Sequence, residues 1–110
     1  MDVELEFDGF QWDDGNREKC RRRGVSVAEI ESLFGDSPGV YDDPDHSEQE
    51  RRLRAIGPTS AGRYMLVAFT VREQHGRTLI RPISARYMHA KEIQHYERRK
   101  TSQADAAPED

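Results

Sequence analysis

Residues 64–86, YMLVAFTVREQHGRTLIRPISAR, decide how the rest of the chain must be arranged. Tyr64 to Val71 is apolar at nearly every position, the pattern of a central strand covered on both faces. Gln74-His75-Gly76 reads as a turn, and Thr78–Arg86 is rich in β-branched residues, so a second strand returns beside the first. Upstream, residues 51–57 alternate, with Leu53, Ala55 and Gly57 on one face and Arg52, Arg54 and Ile56 on the other. Pro58 to Gly62 supplies the turn between them, and Val40-Tyr41 is a further short strand.

Two helices precede this meander. Asp13-Asp14 opens the first, which runs to about Arg23 and stops at Gly24, with Arg21, Arg22 and Arg23 at the negative dipole end. The second begins with Ser26 and Glu29 in capping-box spacing, flanked by Val25 and Ile30 as a hydrophobic staple. Val27, Ile30, Leu33 and Phe34 then share one helical face, and Gly35 ends it. Before both helices, residues 3–7 (Val-Glu-Leu-Glu-Phe) alternate like a half-buried strand. After the meander a helix is predicted over about Met88 to Lys100, with Ile93, Tyr96 and His89 on one face. The expected fold is α+β: a small antiparallel sheet of about four strands, two N-terminal helices and one C-terminal helix, with the helices against one face. Residues 1–100 are expected to form a single domain and residues 101–110 a disordered acidic tail.

Composition limits the function. The chain has 110 residues, 35% apolar and 35% charged, and no apolar run approaches the ~18–20 residues that cross a bilayer. The acidic start Met1-Asp2-Val3-Glu4 does not read as a secretory leader, so a cytoplasmic location without membrane attachment is expected. A single cysteine, Cys20, excludes an intramolecular disulfide and a cysteine-based zinc site. The net charge of -4 hides a segregation: residues 1–50 carry -10, residues 51–100 carry +9 and the last ten carry -3. The basic half suits a face for nucleic acid; the plainer alternative is that the two halves neutralise one another in the fold.

No phosphate loop, dinucleotide fingerprint, zincin motif or serine-hydrolase elbow is present. Asp42, Asp43, Asp45, His46 and Glu48 lack calcium-loop spacing and read as a solvated connection rather than a cation site. Cys20 sits beside Lys19 and Arg21 without a paired histidine, which favours a buried, incidental thiol. What remains is a cationic set, Arg52, Arg54, Arg63, Arg81, Arg86, Lys91 and Arg98, interleaved with Tyr64, Tyr87, Tyr96 and His89. Arginine forks grip phosphate and aromatic faces stack bases. Metal-free RNA cleavage needs a base for the 2′-hydroxyl, cations on the phosphate and an acid for the leaving oxygen, and these residue types supply them. The same residues also cover sheet edges and helix faces in any hydrophilic small domain.

Phe10-Gln11-Trp12-Asp13, Gly24-Val25-Ser26, Asp43-Pro44-Asp45-His46-Ser47-Glu48, Glu50-Arg51, Ile56-Gly57 and Ile80-Arg81-Pro82-Ile83-Ser84-Ala85-Arg86 occur in that order and together resemble the BrnT family. The likeness runs from about Val3 to Tyr96. It implies a RelE-like fold, ribonuclease activity that blocks translation, and neutralisation by a BrnA-like ribbon-helix-helix antitoxin. One departure is clear: Arg23 stands where family members commonly have a histidine, so no role of that histidine is carried over.

The site implied is catalytic at Arg81, Arg86, His89 and Tyr96, with Arg52, Arg54, Arg63, Tyr64 and Lys91 on the RNA, and no metal or other cofactor. The competing readings are a BrnT-like binding module without cleavage, or an adaptor using its acidic half. A strand alternates faces, so Arg81 and Arg86, five positions apart, share a side only if the strand bulges or ends between them. Pro82, which lacks an amide hydrogen, is where a bulge is expected, bringing both guanidiniums to the helix-free side.

Overall fold

The computed structural model describes residues 4–105. Its elements are β1 (Gly9–Phe10), α1 (Asp14–Arg21), α2 (Val27–Gly35), β2 (Gly39–Asp42), a 3-10 turn (Pro44–His46), β3 (Leu53–Pro58), β4 (Tyr64–Gln74), β5 (Arg77–Tyr87) and α3 (Ala90–Asp105). The five strands form one mixed sheet in the order β1-β5-β4-β3-β2, with β1 parallel to β5 and every other pair antiparallel. The architecture is α+β.

The register sorts every strand residue onto one of two faces. Leu53, Ala55, Gly57, Met65, Val67, Phe69, Ile80, Pro82 and Ala85 look toward α1 and α2 and are buried there. Phe69 meets Phe34 of α2 edge-on, with ring centroids 5.0 Å apart, and Ile30, Leu33 and Cys20 fill the same layer. Gly57 lies so close to Leu33 that a Cβ there would come within 3.2 Å of its Cδ1.

Local signals explain the helices. Asp13 caps α1 in a reciprocal box: its carboxylate accepts from the Asn16 amide at 2.9 Å, and Asn16 Oδ1 accepts from the Asp13 amide at 2.7 Å. Gly24 holds φ 78° just past the helix. Ser26 caps α2 by accepting from the Glu29 amide, but the Glu29 carboxylate does not return to the cap as a capping box requires. It is drawn across to the sheet, accepting from Thr59 Oγ1 at 2.9 Å and from the Tyr87 hydroxyl at 2.5 Å.

Three expectations need correction. Residues 4–7 alternate in burial, with Leu5 and Phe7 packed against the core, yet they pair with no strand; Val3 lies outside the described residues. The ladder begins at Gly9 because only there does the chain reach the free edge of β5, where Asp8 donates its amide to the Thr78 carbonyl at 2.7 Å. The last helix starts two residues later than expected and runs to Asp105, because the Met88 amide still bonds the Tyr64 carbonyl as part of the sheet. Residues 106–110 of the expected tail lie outside the described residues. Finally, α3 is not stacked with α1 and α2. It stands over the opposite face, since its half-buried apolar side chains, such as Ile93 and Tyr96, are too few for a core helix.

Between Ala68 and Phe69 the β4–β5 register slips: Ala68 faces Ser84 but Phe69 faces Pro82, leaving Ile83 as the extra residue of a bulge. The slip returns Arg81, opposite Thr70, and Arg86, opposite Leu66, to one side of the sheet. The bulge expected at Pro82 is present, but that side, the one away from α1 and α2, is not helix-free as expected, because α3 stands over it.

Candidate nucleic-acid interface

The open face of the sheet carries Tyr41 on β2, Arg54 and Ile56 on β3, Leu66 on β4 and Arg86 on β5, all aligned by register. α3 crosses above them, so that sheet and helix enclose a groove of about 630 Å³. Lys91, His95, Tyr96, Arg99 and Lys100 descend into it from the helix, with Arg54 below. Arg54 Nε is buried there and has no hydrogen-bond partner among the described residues. A buried guanidinium nitrogen left unpaired is costly, and an anion entering the groove would satisfy it.

Polar and aromatic tethers hold the helix in place. Tyr64 donates its hydroxyl to Glu97 Oε2 at 2.8 Å, which pushes the phenol pKa above its ordinary value. Tyr96 packs edge-on between Tyr41 and Tyr64, with centroids 6.2 and 6.3 Å away. Arg86 grips Glu92 through Nη1 and Nη2 at 2.8 and 2.7 Å. The same carboxylate accepts the His89 amide at 2.9 Å, and these hydrogen bonds bring the pKa of Glu92 down to about 2.

Arg54, Lys91 and Tyr96 therefore meet in one groove, with Arg86 at its margin behind Glu92. Arg81 faces the same side but is held at the β1 edge by Asp13, 2.9 Å away, and reaches Gln11 Oε1 at 3.4 Å. The two arginines share a face without sharing a partner. His89 is exposed just before α3. Arg63 stacks 3.5 Å over the ring of Tyr87, whose hydroxyl bonds α2, and so belongs to the helix-covered side. Arg52 lies in a separate recess with His46. Sequence reasoning passed over Tyr41, His95, Arg99 and Lys100 as groove residues. Charge spacing along α3 offers a signal for the last three, but nothing in sequence announces Tyr41 before the sheet register is known.

Among the described residues no three His, Cys, Asp or Glu side chains are arranged to hold a metal ion, and no helix is long and apolar enough to cross a membrane. A family model described as the ribonuclease toxin BrnT of type II toxin-antitoxin systems matches residues 12–92. The chain belongs to this family. No curated protein matches it. As a BrnT toxin it has RNA as its target and an antitoxin as its partner. The BrnT match takes in β2 to β5, the bulge and the Arg86–Glu92 pair, leaves out β1, and ends before His95, Tyr96, Arg99 and Lys100.

Proposed function

We propose that the chain is a metal-independent endoribonuclease that holds RNA in the groove beneath α3 and cleaves it, and so inhibits translation. The observation that carries this reading is the buried, unpaired Arg54 Nε at the floor of a groove walled by Lys91, Arg99 and Lys100. These cations attract a phosphate backbone, and Tyr96 and Tyr41 offer aromatic surface for a base. Arg86 joins a flanking phosphate when the RNA displaces Glu92. A BrnA-like ribbon-helix-helix antitoxin neutralises the toxin by covering this face, in the cytoplasm. Inducing the gene alone in bacteria tests the reading: growth should arrest, and Arg86→Ala should relieve the arrest. Purified chain should cleave RNA in the presence of a chelator. Harmless expression with intact antitoxin binding would instead identify a binding module without cleavage.

A further inference from the structure

Beside the groove, on the same open face, a second recess of about 390 Å³ is lined by His46, Arg52, Thr70 and Ile83, with Asp45, Glu48 and Glu50 at its rim. Its histidine is fixed. Asp43 is buried, and both its carboxylate oxygens lie 3.1 Å from His46 Nδ1. A carboxylate can only accept, so Nδ1 carries the hydrogen, and in the neutral ring Nε2 is left with a lone pair.

The turn that bears this pair is bolted to the start of β3. The Asp43 amide donates to the Arg52 carbonyl at 2.9 Å, Ser47 Oγ donates to the Asp43 carbonyl at 2.7 Å, and the Arg52 amide donates to Ser47 Oγ at 2.8 Å. Two further groups in the recess are unspent. Thr70 is 3% exposed, yet its hydroxyl has no hydrogen-bond partner among the described residues. Arg52 makes no side-chain ion pair among the described residues, whereas Arg72 neutralises Glu50 at 2.7 Å. An oriented imidazole, a guanidinium without an ion pair among the described residues and a buried, orphaned hydroxyl line one recess, and these are the kinds of group that proton transfer at a phosphate uses.

We infer that His46, oriented by Asp43, is the general base of RNA cleavage, with Arg52 and Thr70 receiving the reacting phosphate; this rests on the ribonuclease reading above. His46 Nε2 takes the proton of a ribose 2′-hydroxyl as the 2′-oxygen bonds to the adjacent phosphorus. The bond from phosphorus to the 5′-oxygen breaks, and that oxygen takes a proton from water. The hydroxide so formed recovers the proton from the imidazolium, leaving a 2′,3′-cyclic phosphate and a 5′-hydroxyl. Asp43 stabilises the imidazolium while it lasts. Arg52 and the Thr70 hydroxyl offset the charge that builds on the phosphoryl oxygens.

The test uses the full chain and a single-stranded RNA oligonucleotide, scored for cleavage rate, product ends and RNA affinity. His46→Gln keeps a donor for Asp43 but cannot take the proton, so cleavage should fall about 100-fold or more with affinity unchanged. His46→Ala should be equally slow and should regain activity when imidazole is added, which loss of a merely structural contact would not allow. His46→Gln cleaving at the parental rate, or His46→Ala left unmoved by imidazole, overturns the inference while the ribonuclease reading stands. A parental chain that leaves RNA intact overturns both.

Discussion

Asn16 donates from Nδ2 to the carbonyl of Pro82 at 2.9 Å, joining α1 to the bulge of β5 across 66 positions of sequence. The same nitrogen reaches the Gln11 carbonyl at 3.0 Å, while Oδ1 closes the cap on Asp13. One buried amide therefore sets the helix start and the strand irregularity that turns Arg81 and Arg86 to one face. Asn16→Leu should lower stability by about 1–3 kcal/mol, because it strands a buried carbonyl at the bulge. In urea titration the midpoint should fall with the slope unchanged.

Gly39 is open to a direct test of the groove. A Cβ there would lie 2.6 Å from the Tyr96 hydroxyl and 2.7 Å from that of Tyr41. Both obstacles are the ends of movable side chains, so Gly39→Ala should leave the melting temperature within a few degrees of the parent. It should nevertheless push the Tyr41–Tyr96 pair apart and weaken binding of single-stranded RNA, measurable by fluorescence anisotropy.

The Arg54 guanidinium should act on RNA as a phosphate contact. Arg54→Ala should weaken binding to all sequences alike and reduce the slope of log affinity against log salt by about 0.7, the value for one phosphate contact on a single strand. A changed sequence preference with an unchanged slope would assign Arg54 to a base instead.

The Arg86–Glu92 pair makes stability depend on acid. Glu92 titrates at about 2 in the fold against an ordinary 4.5. Its folded value is depressed, so its contribution is fully present above about 4.5 and is lost as pH falls toward 2. The pair is partly exposed, which keeps that contribution below about 1 kcal/mol. Glu92→Gln should therefore flatten the pH dependence of unfolding over this window and leave the profile near neutrality unchanged in shape.

Cys20 has no exposed surface, and burial pushes its thiol up to about 11. A thiol reagent at neutral pH should modify the native chain only as fast as it unfolds, and should react at once in denaturant.

What was legible in the sequence followed from local chemistry. The Ser26 cap, the alternation of Leu53, Ala55 and Gly57, and the bulge demanded by Pro82 each depend on neighbours a few residues away. What was hidden depends on distant partners. The edge-joining role of Gly9–Phe10 exists only because β5 leaves an edge free, and the redirection of Glu29 exists only because Tyr87 and Thr59 arrive beside it. The site divides in the same way. A cluster of arginines and tyrosines could be read from composition, but not that Glu92 would engage Arg86 or that Asp43 would orient His46.

The pairing of the first strand with the last also governs when this molecule becomes itself. Gly9 and Phe10 have no ladder until Leu79 and Ile80 exist, and the contacts from Asp13 to Arg81 and from Asn16 to Pro82 wait on the same stretch. A chain emerging from the ribosome holds Gly9 and Phe10 without their partners until Leu79 and Ile80 have been made. The arginine-bearing face is thus finished only once β5 has emerged, and a nascent chain carries no assembled surface for RNA before then.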